Sequence, residues 1–377
     1  MRSENRFEAL AVPGVRQLKP YVPGKPIEEL ERELGISDSI KLASNENPLG
    51  PGPRARAALA VAMANVGLYP DGSGHDLRSR LARRHGVELD QVTLGNGSND
   101  VLVLLAQAFL AAGIEAVYSE YAFAVYPIAV QACGARARVA AARPADDCQP
   151  LGHDPSALLA AIGPKTRLLF LANPNNPTGT WLDETALDAL LRAVPPEVIV
   201  VLDEAYHEYS AGLGVPDGTR WLARYPNLVV TRTFSKAFGL AGLRVGYALS
   251  HRDLADLLNR VRQPFNVSVP ALAAAAAALD DREHLETTVG LNRAGIGQLR
   301  DGLARLGIRA PASAGNFVLA DLRRPSAAAH DALLRQGVIA RPVGNYGLPH
   351  HLRISAGTAA QNERLLAAMD AALSATR

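Results

Sequence analysis

LVVTRTFSKAFGLAGLRVGYALS, residues 228–250, consists of two short apolar runs separated by a polar, glycine-bearing turn. Leu228–Thr231 and Arg244–Leu249 have the β-branched, unbroken character of strands buried on both faces. Between them Lys236 sits among Phe234, Ala237, Phe238 and Leu240. Thr233 and Ser235 precede it, and Arg244 follows eight residues on. A lysine in apolar surroundings has a lowered pKa and can act as a Schiff-base nucleophile. Hydroxyls beside a fixed cation are what a phosphate binds. The chain holds five lysines, Lys19, Lys25, Lys41, Lys165 and Lys236, against 34 arginines. Arginine therefore does the solubilising, and a lysine in such a setting stands out.

The same alternation extends outward in both directions. Strands are predicted at Gln91–Leu94, Glu115–Tyr118, Arg136–Ala140, Leu168–Leu171 and Val198–Leu202. Helices are predicted at Ser98–Ala111, Ala122–Ala132, Pro155–Ile162, Asp183–Ala193 and Asp217–Arg224. Apolar strands separated by helices indicate an α/β fold with a mostly parallel sheet covered on both faces. After about Leu254 helical periodicity dominates to Leu306. Strand-like Phe317–Leu322, Ile339–Arg341 and Leu352–Ile354 and a helix from Ala359 follow, a smaller α+β domain. Pro13, Pro20, Pro23 and Pro26 break the first residues into an arm, in which only Ile27–Leu34 has helical periodicity. The expected organisation is an arm at 1–45, a large domain at 46–262 and a small domain at 263–377.

In open α/β sheets ligands bind beyond the carboxyl ends of the strands. Gly95-Asn96-Gly97-Ser98-Asn99-Asp100 places glycines and a small hydroxyl residue at a helix start, where free backbone N–H groups bind anions. Asn173-Pro174-Asn175-Asn176-Pro177-Thr178-Gly179 is a rigid turn presenting amides. Asp203-Glu204-Ala205-Tyr206 ends an apolar strand with a carboxylate, which is costly there unless it meets a cation. Read singly, the first is also an ordinary capped turn, and the third an N-cap with a core tyrosine. Together they fit pyridoxal phosphate, which offers a phosphate, a ring nitrogen suited to a carboxylate, a phenolate oxygen and an aldehyde.

Composition excludes other classes. The apolar fraction is 48% and the charged fraction 20%, so a packed core is expected rather than disorder. A net charge of +2 gives no electrostatic case for a nucleic-acid or membrane partner. Cys133 and Cys148 cannot form a disulfide framework and indicate free thiols in a reducing, cytoplasmic compartment. The N-terminus lacks the apolar core of a secretory signal, and no apolar run reaches the roughly 20 residues a bilayer requires. The alanine run Ala271–Leu279 reads as a tightly packed interior helix. No His, Cys and carboxylate spacing resembles a zinc site, so no metal is expected.

NPNNPTG, DEAYHEY, TFSKAFGLAGLRVGY and LRISAGT resemble the motifs of the class II aminotransferases of fold type I. YVPGKP at Tyr21, LASNENPLGP at Leu42–Pro51, GLYPDGSG around Tyr69 and RPVGNYGLPHHLRISAGT are similar to those of the histidinol-phosphate aminotransferases among them. The resemblance covers nearly the whole chain. It implies the pyridoxal-phosphate transferase fold and transamination of histidinol phosphate with 2-oxoglutarate. Aromatic amino-acid transamination and, further off, decarboxylation on the same fold are the alternatives. A regulatory domain without turnover fits poorly, for no DNA-binding module precedes Leu42.

By the same resemblance Lys236 forms the Schiff base, Asp203 pairs with the ring nitrogen, and Tyr206 and Asn176 donate to the phenolate oxygen. Tyr121 stacks on the ring. Ser98, Asn99, Thr233, Ser235 and Arg244 hold the phosphate, and Tyr69 reaches the phosphate of the neighbouring subunit in a homodimer. Arg353 grips the substrate's anion, and Arg341, Tyr21 and Asn176 lie at substrate-contacting positions. Asn316 matches a recurrent position without an assigned role. The chain departs from some members in Ser98-Asn99-Asp100, where they have Ala-Asp-Glu, and in Pro264-Phe265-Asn266-Val267, where they have a substrate-facing tyrosine.

Overall fold

Seven short runs, most of them apolar, become the strands of one sheet, and their alternation decides which core each side chain enters. The computed structural model describes residues 7–21 and 23–374. A first strand, β1 (Ile40–Lys41), belongs elsewhere. The sheet contains β2 (Val92–Gly95), β3 (Glu115–Ser119), β4 (Arg136–Ala140), β5 (Thr166–Ala172), β6 (Ile199–Asp203), β7 (Leu228–Thr233) and β8 (Gly246–Ser250), in the order β2-β8-β7-β6-β5-β3-β4. Pairings among β3 to β7 are parallel, and β8 runs antiparallel to both β7 and β2. Leu169, Leu171, Val200, Leu202 and Val230 pack on one face, and Leu168, Phe170, Ile199, Val201 and Val229 on the other. Full burial of such a side chain is worth about 1.5–3 kcal/mol, so a one-residue slip in register would forfeit both cores.

Crossover helices Ser98–Phe109, Val125–Ala132, Pro155–Ala161 and Glu184–Ala193 cover the sheet. Asp154 and Asp183 cap the last two by accepting backbone N–H groups. Because β5, β6 and β7 run in parallel, their carboxyl ends share one edge: Ala172 pairs with Asp203, and Asp203 with Thr231.

The small domain carries β9 (Phe317–Asp321), β10 (Val338–Ile339), β11 (Arg341–Val343) and β12 (Leu348–Ser355). β11, β12 and β9 form an antiparallel sheet in that order, with Arg341 directly opposite Arg353. The strand expected at Ile339–Arg341 divides at Ala340, β10 pairing with β1 and β11 with β12. The helix expected at Asp217–Arg224 shortens to a 3₁₀ turn, Gly218–Trp221, because Asp217 accepts from the Thr219 backbone and from Arg232.

Core membership corrects the expected domain limits. Ile40 and Leu42, assigned to the arm, are buried with Leu299, Val318, Val338 and Leu352 of the small domain. The helix Val269–Ala278, assigned to the small domain, sends Ala271, Ala274, Ala275 and Ala278 into the large-sheet core. The change of core falls instead along the helix Arg282–Arg305, whose Leu299 and Leu303 enter the small-domain core. Among the described residues no helix is long and apolar enough to cross a membrane.

Candidate active site

The shared strand edge opens into a cavity of about 470 Å³ roofed by the arm and the small domain. Ser98, Asn99, Asn176, Asp203, Tyr206, Thr233, Ser235, Lys236, Arg244, Arg353 and Tyr21 all border it. They come from separate strand ends and three parts of the chain, and the fold alone brings them together.

Lys236 lies in the turn after β7, and its Nζ donates to the Ser44 carbonyl at 3.2 Å. Burial, helped by the charge of Arg353, lowers its pKa to about 7. Nζ also sits 5.8 Å from the Tyr206 ring centroid. Asp203, the last residue of β6, is buried, and burial raises its pKa. Its Oδ1 accepts from the Ala205 N–H at 3.2 Å and Thr231 Oγ1 at 3.3 Å, and its Oδ2 from Tyr126 Oη at 2.9 Å. Tyr206 Oη accepts from Asn45 Nδ2 at 2.9 Å, and burial pushes the phenol up to about 12.

Arg353 projects from β12. Its Nη1 donates to Asn176 Oδ1 at 2.7 Å and its Nη2 to the Ala43 carbonyl at 2.6 Å. Its buried Nε has no partner among the described residues, leaving one donor for an anion. At the far end of the cavity the helix Ser98–Phe109 begins without a side-chain cap. Arg244 Nη1 donates to Ser235 Oγ at 3.1 Å, and the Ser235 N–H donates to Thr233 Oγ1 at 3.1 Å. Gly97 has φ +82°, and a Cβ there would overlap the Arg244 guanidinium. A Cβ on Gly246 would overlap the Ser98 N–H. The sequence thus keeps a cradle of backbone N–H groups clear beside a cation, which is an anion site.

Tyr121 does not border the cavity. It packs with Leu319, Val343, Tyr346 and Leu348, and its carbonyl accepts from Asn175 Nδ2 at 2.8 Å. Phe123 takes the wall position instead. The residues 120–124 form a turn, so strand or helix spacing gave no means of choosing between the two aromatics. Asn45, Tyr126 and Phe123 are the site residues that sequence reasoning missed. Asn45 lies inside the LASNENPLGP motif, at a left-handed φ of 55°. Asn316 Nδ2 donates to the Asn45 and Glu46 carbonyls, so it holds the loop carrying Asn45.

Arg341 faces an adjoining cavity, its guanidinium 5.6 Å over the Tyr21 ring. Tyr69 is remote from this chain's cavity. It is 83% exposed and stacks on Phe265 at 4.8 Å. Outside the site, the fold brings Glu204, His207 and Asp217 ligand atoms within 4.8 Å of one another. Arg232 already donates to both Glu204 and Asp217, at 2.7 and 2.6 Å. That guanidinium already pairs with both carboxylates, and we assign no metal there.

The profile of the aminotransferase class I and II family matches residues 37–369. The chain belongs to this family. This aminotransferase is 58% identical over 365 residues to histidinol-phosphate aminotransferase 2 of Pseudomonas fluorescens, covering 96% of this chain and 97% of that one. It is 56% identical to the protein of the same name from Methylococcus capsulatus, covering 97% and 98%. Among solved structures, the histidinol-phosphate aminotransferase of Sinorhizobium meliloti in complex with pyridoxal-5'-phosphate superposes with a TM-score of 0.90. It is 31% identical, covering all of both chains. The fold of this aminotransferase is accordingly the class I and II fold, a mostly parallel central sheet with helices on both faces.

Proposed function

We propose that this aminotransferase binds pyridoxal phosphate in the cavity and transaminates histidinol phosphate with 2-oxoglutarate, giving imidazole acetol phosphate and glutamate. The observation that carries the proposal is the Lys236 amine, held near neutral pKa in one enclosure with a buried carboxylate, a buried phenol and an anion cradle. The donor set fits the cofactor. The cradle of Ser98, Asn99, Thr233, Ser235 and Arg244 suits its phosphate, Asp203 its ring nitrogen, and Tyr206 with Asn176 its phenolate oxygen. Phe123, in place of Tyr121, and the small Ala205 line the cavity and would flank the ring.

When bound, pyridoxal phosphate supplies an aldehyde for the substrate amine and a ring that withdraws electrons from the substrate's Cα. The remaining chemistry falls to this chain. Lys236 Nζ, once free, takes the α-proton and returns it, which suits a group titrating near pH 7. Asp203 keeps a proton on the ring nitrogen, and such preorganised charge is typically worth about 3–4 kcal/mol in the transition state. Arg353, oriented by Asn176 and Ala43, turns its unpartnered Nε–H and its charge to the anionic end of either substrate, since carboxylate and phosphate both accept from a guanidinium. Tyr21 and Arg341, stacked beside it, are the further substrate contacts.

The proposal includes a cytoplasmic homodimer. Val61, Val66, Leu68, Tyr69 and Phe265 are exposed on one chain, and Tyr69 would reach the neighbouring cofactor's phosphate. Cys133 and Cys148 are free thiols, as a reducing compartment requires. An apolar wall of Val103, Phe123, Val125 and Ile128 favours an aromatic amino acid as second reading. Single-turnover amination of the bound cofactor by histidinol phosphate, phenylalanine and aspartate, followed by absorbance, tests the substrate. Histidinol phosphate should react fastest, and a strong preference for phenylalanine would replace the first reading by the second.

A further inference from the structure

Tyr126 is a tyrosine at the site whose sequence context, AFAVYPIAV, gives it no chemistry. It lies in the first turn of the helix Val125–Ala132 and is fully buried. Its ring stacks on Phe170 of β5 at 4.9 Å and 14°, and meets Phe123 edge-on at 5.8 Å and 87°. These two ring contacts and full burial pack the phenol on more than one side, which gives the hydroxyl a defined direction. It is aimed at Asp203 Oδ2, 2.9 Å away. The other carboxylate oxygen, Oδ1, is held by the Ala205 N–H and Thr231 Oγ1. The titratable groups facing Asp203 are Tyr126 from its helix, Tyr206 from the following turn and Lys236 from the turn after β7. Among these, Tyr126 is the one hydrogen-bonded to the carboxylate.

We propose that Tyr126 is a positioning residue for Asp203: its hydroxyl fixes the Oδ2 lone pair presented to the cofactor's ring nitrogen, while its ring seats Phe123 at the cavity wall. A carboxylate at the buried end of a strand needs donors to remain charged. Oδ1 has a backbone donor and a long hydroxyl contact, whereas Oδ2 has Tyr126 as its only protein donor among the described residues. Burial works against the ionised form of Asp203, and the Tyr126 hydrogen bond is the largest contribution opposing it. A phenol suits this task, because burial and the adjacent carboxylate hold Tyr126 itself protonated. It therefore donates at any pH at which the enzyme works. Val125 and Ala129, on the same helix, offer no donor that could substitute.

The inference rests on the assignment of Asp203 to the ring nitrogen, and its test separates the two. Dissociation constants of pyridoxal phosphate, and of its analogue with C–H in place of the ring nitrogen, are measured against pH for the full-length apoenzyme. Wild type, Tyr126→Phe, Thr231→Val and Asp203→Asn are compared. Tyr126→Phe removes one oxygen and retains the ring packing. It should move the acid limb of pyridoxal phosphate binding up by about one pH unit, a tenfold loss on that limb. Analogue binding should not change. Thr231→Val, removing the longer contact, should move the limb less. An unchanged limb in Tyr126→Phe overturns the proposal, and so does an equal loss of both ligands, which would make the role one of packing. If Asp203→Asn still prefers pyridoxal phosphate over the analogue as wild type does, the assignment of Asp203 itself fails.

Discussion

Lys236 should titrate near neutrality, with burial as the principal cause and Arg353 as the largest charge acting in the same direction. An ordinary lysine has a pKa of 10.5, and burial together with the surrounding charges brings Lys236 down to about 7. Arg353 and Arg244 push the same way, while Glu46 and Asp203 oppose them. At pH 7.5 roughly three quarters of the Lys236 amines are then neutral, against about one in a thousand for a free lysine. Mixing apoenzyme with pyridoxal phosphate and following absorbance across about pH 5.5 to 9.5 reads this population as a loading rate. The midpoint should lie near 7 and move upward in Arg353→Met, which removes a cation facing the amine. A wild-type midpoint above about 9, or no movement in Arg353→Met, would refute the electrostatic account.

The same shift has a stability consequence whose sign is fixed by linkage. Lys236 binds its proton less tightly folded than unfolded. Between about 7 and 10.5 the unfolded chain therefore holds the extra proton, and apoenzyme stability rises with pH through that window. Each unit is worth about 1.4 kcal/mol, so the ceiling on the penalty at neutral pH is roughly 4 kcal/mol, reduced by water entering the cavity. Lys236→Met should make the apoenzyme melt higher than wild type at pH 7, with the gap closing towards pH 10.5. A variant that melts lower at pH 7, or a gap that does not close, would show that the amine is not held against its charge.

Arg353→Lys keeps the charge but loses the fork held by Asn176 and Ala43. It should lower kcat/KM for both substrates by at least about thirtyfold, since breaking such a buried pair costs roughly 2–5 kcal/mol. Arg232→Met leaves Glu204 buried without its cation and should destabilise the fold by about 3–5 kcal/mol by chemical denaturation. Glu204 already has its pKa raised to about 7 from 4.5 by burial. Losing Arg232 raises it further, so that destabilisation should grow as pH rises from about 5 to 8. Leu68→Glu puts a charge in the exposed apolar patch beside Tyr69. It should shift sedimentation from dimer to monomer and abolish activity, with melting changed by no more than about 0.5 kcal/mol per chain.

The strand-end residues were legible because two signals coincided in them. An apolar run locates the strand, and the first polar residue after it is the one a parallel sheet exposes at its ligand-binding edge. Asp203 meets that description directly, Asn176, Thr233, Ser235 and Lys236 lie within the few residues that follow their runs, and all five border the cavity. Thr166–Ala172 extends the predicted strand at both ends and Leu228–Thr233 at its C-terminal end, because the ladder continues past the apolar stretch. The sequence places Arg244 at the start of a strand. It instead adopts a left-handed φ of 53°, and β8 begins two residues later. That conformation turns the guanidinium back towards Ser235 and Asn96.

Illegible residues share a different property: their position depends on tertiary neighbours that no local period encodes. Tyr121 and Phe123 are two apart in a turn, and only the packing of Tyr121 against β9, β11 and β12 residues sends Phe123 to the cavity. The alanine helix 269–278 has too little amphipathic character to declare a domain. Small side chains let it approach the helix Pro53–Ala62 and merge with the large core. Tyr126 looks like core by every sequence criterion, and most of it is core. Its function resides in one oxygen that a buried ring delivers to Asp203. A residue can therefore serve packing with its ring and chemistry with its hydroxyl, and periodicity detects only the first.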